Sequence, residues 1–264
     1  MHLIKTRELP EETWIELRKM SSSTAWGTLG RVLRNELMRD HYRMMHMRPI
    51  DPFHTICGPA VTVRYLPVDP LNPTSEEVEL INNHSTMIVK MMNALSTGDV
   101  LVLAALGRSD AGVAGEGMCH GFKAHGASGL VVDGGERDVP VIRNEVKLPV
   151  FMSGNSTPTV ARWHIHEGKP GGILPKEINV PVMCDGVRVR PGDVIIGDEC
   201  GLMVIPIENA ETVGRIGGAL EDIEELQRKL IQKGEYVHMQ PMTEDILKKY
   251  GMWEKWRIAK EAQV

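Results

Sequence analysis

Two short runs, "VLVLAAL" (100–106) and "GLVVDG" (129–134), constrain this chain more than any other feature. Both are almost wholly apolar, too short for a helix and without polar alternation, the pattern of strands buried on both faces. Between them, "GEGMCHGFKAHG" reads as a helix opened by Gly115 and stopped by Gly126. Strand, helix, strand is the unit of α/β architecture. Ligands of open α/β sheets bind in the crevice beyond the carboxyl ends of the strands. The residues that follow each run are therefore where chemistry is expected.

After the first run come Gly115, Glu116, Gly117 and Met118. Backbone N–H groups at a helix start bind anions, and glycines let a ligand approach the main chain. The second run leads into "DGGERD". A turn at this point uses the two glycines and Asp133, but it has no need of Arg137 and Asp138. A guanidinium forks onto a carboxylate, and an aspartate holds a hard divalent cation. Together they would grip a small carboxylate with a metal beside it. Taken singly, each feature is bland: an exposed Arg-Asp pair is usually just solvated, and the glycines simply start a helix. Their order does not follow GxGxxG, and no acidic ribose partner follows at the usual distance, which disfavours a dinucleotide site.

The remaining chain reads as α/β with helices at both ends. Residues 1–20 form a helical arm, and a second helix carries Leu29, Val32, Leu33 and Leu37 on one stripe. "CGPAVTVRYLP" is a strand entered through Gly58 and Pro59 and closed by Pro67. "STMIVKMMNAL" is helical; a helix through Val141 and Ile142 and a strand at "LPVFMSG" follow the Arg-Asp pair. From residue 180 to 206 short strands are broken by Asp185-Gly186, by Pro191-Gly192-Asp193 and by Asp198 to Gly201. Helical patterns return from Glu208. The expected organisation is an arm over 1–20, an α/β domain over 21–235 and a helical extension over 236–264.

Composition narrows the function. Apolar residues are 42% and charged residues 25%, the balance of a globular protein with a sizeable core. The net charge of −5, with scattered lysines and arginines, and the 5% aromatic content argue against nucleic acid as partner. Cys57, Cys119, Cys184 and Cys200 form no CxxC pair and read as free thiols of a reducing compartment. The N-terminus lacks the apolar centre of a signal peptide, and no apolar stretch is long enough to span a bilayer. A cytoplasmic protein without a membrane partner is expected.

The stretches "GDVLVLAALG…AGVAGEGMCHGFKAHGASGLVVDGGERD" and "GVRVRPGDVIIGDECGLMVIP", with "CGPAVTVRYLP" before them, resemble one family. It contains 4-hydroxy-4-methyl-2-oxoglutarate aldolase and the regulator of ribonuclease E activity A, and the likeness runs over roughly residues 24–230. It implies a single domain with layered α/β/β/α architecture and a mixed sheet. The aldolase branch carries Arg-Asp after the glycines and binds a divalent metal through the aspartate. The regulator is a non-catalytic inhibitor that binds a ribonuclease, with glutamine in place of that aspartate. Arg137-Asp138 follows the enzyme pattern.

By the same resemblance Gly115 to Met118 hold the carboxylate of a pyruvyl group, Arg137 contacts the same fragment, and Asp138 is the ligand of Mg²⁺ or Mn²⁺. Glu116 matches the acid that holds water at the metal. The implied reaction is cleavage of a 2-oxo-4-hydroxy acid to pyruvate, with oxaloacetate decarboxylation as a second activity. A homotrimer or homohexamer is implied, with a site at the subunit interface. A further glutamate reaches it from the neighbour; Glu221, Glu224 and Glu225 lie in the right segment. Lys90 and Lys123 read as solvent-facing rather than Schiff-base lysines. His164 and His166 would share one face of an extended segment, suited to a metal or to substrate selection, while His120 and His125 read as packing or surface residues.

Overall fold

The computed structural model describes residues 9–69, 72–154 and 172–261. Two helices come first, α1 (Glu11–Lys19) and α2 (Ser22–Val32), then the short strands β1 (Arg43–Met44) and β2 (Arg48–Pro49). A long strand β3 (Ile56–Val68) leads through α3 (Ser75–Asn82) and α4 (His84–Asn93) to β4 (Val100–Ala114). Helix α5 (Glu116–Ala124), β5 (Gly129–Glu136), α6 (Val139–Val141), a π-helical turn over Ile142–Val146 and β6 (Val150–Met152) follow. The strands β7 (Gly172–Ile178), β8 (Val182–Cys184), β9 (Val187–Val189), β10 (Val194–Asp198) and β11 (Gly201–Ile205) complete the β part. Three helices close the chain: α7 (Ala210–Gln232), α8 (Glu244–Lys249) and α9 (Trp253–Lys260).

Contacts divide the described residues into two compact units, one drawn from 42–69, 72–154 and 172–204, the other from 9–41 and 205–261. In the first unit a mixed sheet has the order β1-β11-β10-β3-β4-β5-β6-β2, with β7 pairing β3 as well. Strands β3, β4, β5 and β6 run parallel to their neighbours in that series, while β10 and β7 pair β3 antiparallel. Alternation assigns the faces. Leu101, Leu103, Leu130 and Val132 pack with Phe122 of α5, whereas Val100, Val102 and Val131 pack with Val182 and Val187 of the β8–β9 hairpin. This burial on both sides explains why the two runs are continuously apolar.

Three elements differ from the sequence reading. Pro59 and Pro67 lie inside β3 rather than bounding it. The ladder with β4 covers only Ala60 to Arg64, so each proline sits where β3 is paired on one side and a missing N–H is tolerated. The glycines of "DGGERD" make no turn: β5 continues through them to Glu136. A Cβ on Gly134 would lie 2.9 Å from Val113 and 3.2 Å from the Arg108 carbonyl, so close strand packing demands glycine there. Helix α2 stops at Val32, with Arg34 at φ 51°, and Leu37 is 81% exposed instead of continuing the stripe.

In the second unit α1 and α2 pack on α7. Added Cβ atoms on Gly217 and Gly218 would collide with Met20 and Glu16, so these glycines permit close helix approach. Ser21 caps α2 by accepting from the Thr24 N–H at 3.0 Å. No helix among the described residues is long and apolar enough to cross a membrane.

Candidate active site

Register brings the site together. β4 and β5 pair in parallel, and their last partners are Ala114 and Glu136. Gly115 and Arg137 therefore leave adjacent strands at the same level, tied by the Arg137 N–H donating to the Ala114 carbonyl at 3.0 Å. From Gly115 the chain enters α5, and the Cys119 N–H donates to the Gly115 carbonyl at 3.0 Å. The amides of Glu116, Gly117 and Met118 thus form the open first turn, the part of a helix that has no internal acceptors. From Arg137 the chain turns at Asp138, whose φ of 57° is left-handed, a conformation that aspartate adopts more readily than most residues.

The turn aims the Asp138 carboxylate at the helix start. Asp138 Oδ2 accepts from the Glu116 N–H at 3.3 Å, and a Cβ on Gly115 would lie 2.8 Å from the same oxygen. Gly115 itself is extended, with φ −159°, so its role is space rather than backbone freedom. Gly115→Ala is expected to leave stability within about 1 kcal/mol, because an exposed carboxylate can swing away. Displacing that carboxylate should nonetheless cost about tenfold or more in activity, since ångström shifts at a reacting centre are that costly. Melting temperature and turnover of the variant, measured side by side, check both parts.

Asp138 and Glu116 are exposed and Arg137 is half-buried. Among the described residues no salt bridge of Arg137 is seen, although its charge acts on the buried Glu136 carboxyl beside it; a guanidinium fork here suits a ligand carboxylate. The site thus offers a guanidinium, a helix-start anion cradle and one accessible carboxylate, with the exposed Glu116 on the first turn of α5. Among the described residues no three His, Cys, Asp or Glu side chains converge as a closed metal cage. That donor set fits Mg²⁺ or Mn²⁺, which keep waters and take one or two carboxylates plus substrate oxygens, better than a tetrahedral zinc site.

Behind this surface lies a residue that the sequence reading missed. Glu136 is fully buried, and burial, reinforced by Asp138 nearby, pushes its carboxyl up to about 8. Continuing the strand parity of Leu130 and Val132 through the glycines would have placed it on the α5 face. A folded-state value above the ordinary 4.5 means that the folded protein holds the proton while the unfolded chain releases it. Stability should therefore fall as pH rises from about 4.5 to about 8 and level off above that. Glu136→Gln should flatten this slope, by an amount on the order of a few kcal/mol across the window. Denaturant melts at a series of pH values, in metal-free buffer, provide the check.

Asp133 also acts differently from the turn residue expected of it. It is buried inside β5 and accepts amide hydrogen bonds from Asp185 and Gly107; burial raises its carboxyl above the ordinary range. It holds the tip of the β8–β9 hairpin, where Asp185 in turn accepts from His46. Glu221 accepts from the Ser21 N–H at 3.0 Å and from the Thr24 hydroxyl at 2.6 Å, and Glu225 pairs with Lys229. Glu224, partly desolvated and near Glu221, is shifted upward. Lys90 is exposed, while Lys123 is tied down by donating to the Val146 carbonyl at 2.5 Å. His120 is exposed, and so is His125, whose ring contacts the Gly121 carbonyl at 2.8 Å. His164 and His166 lie outside the described residues.

The chain is similar in sequence and fold to known proteins. The RraA-like family, described as Aldolase/RraA, matches residues 24–204. A Halalkalibacterium halodurans protein named "Putative 4-hydroxy-4-methyl-2-oxoglutarate aldolase" is 33% identical over 167 residues, 63% of this chain and 67% of that protein. Protein DlpA of Legionella pneumophila is 27% identical over 191 residues, 72% of this chain but 28% of that longer protein. Among solved structures, Streptomyces coelicolor RraAS2, described as an unusual member of the RNase ES inhibitor RraA protein family, superposes with a TM-score of 0.66. It is 26% identical, covering 84% of this chain and 98% of that one. The family match spans both strands and both turns of the site, and the chain belongs to the RraA-like family.

Proposed function

We propose that this protein is a divalent-metal-dependent lyase that releases pyruvate from a 2-oxo-4-hydroxy acid such as 4-hydroxy-4-methyl-2-oxoglutarate, with oxaloacetate decarboxylation as a second activity. The observation that carries this reading is the Ala114–Glu136 register, which brings Arg137 and an accessible Asp138 to the start of α5. The first turn of α5 binds the carboxylate of the pyruvyl fragment through main-chain N–H groups, helped by the helix dipole. Arg137 forks onto the same fragment and balances negative charge as the carbon–carbon bond breaks. Asp138 would hold Mg²⁺ or Mn²⁺, which supplies Lewis-acid stabilisation of the growing charge on the former ketone oxygen. Glu116 orients water beside Asp138, which takes up the proton of the 4-hydroxyl as the carbon–carbon bond breaks, and a proton is returned from the same water to the methylene carbon of the enolate to give pyruvate. Decarboxylation of oxaloacetate passes through the same pyruvate enolate, so it needs no additional group.

The family's other kind of member, represented by the RNase ES inhibitor group, gives a second reading: a protein-binding regulator. Asp138 favours the enzyme, because the family resemblance gives the regulator a glutamine at this place and the metal-dependent branch an aspartate. Oxalate separates the two, since its paired oxygens imitate the enolate of pyruvate. With Mg²⁺ present, oxalate at about a hundred times its dissociation constant should add about 2.7 kcal/mol of stability, and without metal far less. Equal or absent stabilisation in the two conditions would count against the lyase. The assembly is taken as a trimer or dimer of trimers, with a neighbouring glutamate completing the site. A monomer at micromolar concentration by light scattering would contradict that.

A further inference from the structure

Glu136 ends β5 with a side chain that solvent does not reach. Its Oε1 lies 3.7 Å from the Cys119 thiol, which donates to it, while Oε2 has no partner among the described residues. Acids are seldom buried with an oxygen unpaired, and such groups call for an explanation. The position supplies one. Arg137 and Asp138 come directly after Glu136, and Cys119 comes directly after the open amides of Gly117 and Met118. The Glu136–Cys119 contact therefore joins the strand bearing the Arg-Asp turn to the helix bearing the anion cradle, from the buried side. On the open side Asp138 Oδ2 and the Glu116 N–H make the corresponding link at 3.3 Å.

We propose that Glu136 is a positioning residue: through Cys119 it fixes the spacing between the first turn of α5 and the Arg137–Asp138 turn, and so the fit of a two-oxygen anion held by both. The inference rests on the pyruvyl-binding reading above and deepens it. A ligand gripped from both sides senses a change of spacing. A cation at Asp138 alone does not. Groups that orient a site from behind are commonly worth about 10- to 100-fold in affinity or activity.

The test compares wild type with E136M, E136Q, C119V and C119S. Oxalate affinity is measured by calorimetry at saturating Mn²⁺, and Mn²⁺ affinity alone by electron paramagnetic resonance. E136M and C119V should weaken oxalate by about tenfold or more while Mn²⁺ affinity stays within about threefold. E136Q and C119S keep a polar group at each end of the contact and should recover most of the loss. Oxalate binding by E136M equal to wild type would overturn the proposal, as would an equal weakening of oxalate and Mn²⁺, which marks general loosening. Should E136M not fold, the cysteine pair decides, and equal affinities for C119V and C119S would overturn it. Failure of wild type itself to bind oxalate with metal would bring down the pyruvyl reading and this proposal with it. That outcome is distinct from a variant that matches a binding-competent wild type.

Discussion

Asp138→Asn is expected to reduce pyruvate release by at least about a hundredfold, because it removes the charge that would hold the metal. The substitution is unusually clean. Asparagine adopts the left-handed conformation that Asp138 occupies at φ 57° as readily as aspartate does. Its amide oxygen can still accept from the Glu116 N–H. Since the side chain is exposed, stability should change by no more than about 0.5 kcal/mol. Full turnover by the variant in Mg²⁺ would show that Asp138 holds no metal needed for the reaction. Turnover and denaturant midpoint, measured on the same preparation, separate loss of chemistry from loss of fold.

Arg137→Lys carries the second large effect. Lysine keeps the positive charge but loses the planar fork that meets two oxygens at once. Loss of a well-placed donor at a centre where charge develops commonly costs about 2.7–4 kcal/mol, or a hundredfold to a thousandfold in turnover. Lysine also keeps the positive charge that acts on the buried Glu136 carboxyl, so the change spares that contact of the folded protein. A fall in kcat with the melting temperature unchanged is the expected result. A change confined to KM would mean that Arg137 grips substrate and transition state equally.

Local signals were legible in the sequence. Gly126, at φ 100°, ends α5 as a left-handed cap, and Asp185-Gly186, at φ 49° and 74°, is the tight turn between β8 and β9. The open amides of α5 and the Arg-Asp pair could also be read as separate features. What brings them together is the pairing of Ala114 with Glu136, a contact between strands that no local pattern encodes. β4 also runs on past Leu106 to Ala114, its register shifting where Leu106 and Gly107 are both left-handed. That path hid the true end of the strand and the reason for Gly134. The packing of α1 and α2 on α7 joins segments about 200 residues apart, beyond any helical periodicity. Glu136 was passed over because the glycines before it imitate a turn, and a charged residue after a turn is ordinarily solvated.

The ends of β4 and β5 are proposed above to serve pyruvate-forming chemistry. The most direct test is pyruvate release from purified protein offered a panel of 2-oxo-4-hydroxy acids and oxaloacetate, with Mg²⁺ and with the metal chelated. Release from at least one of these acids, lost on chelation and in Asp138→Asn, is the predicted result. No pyruvate from any of them, together with tight metal-independent binding to a ribonuclease, would contradict it.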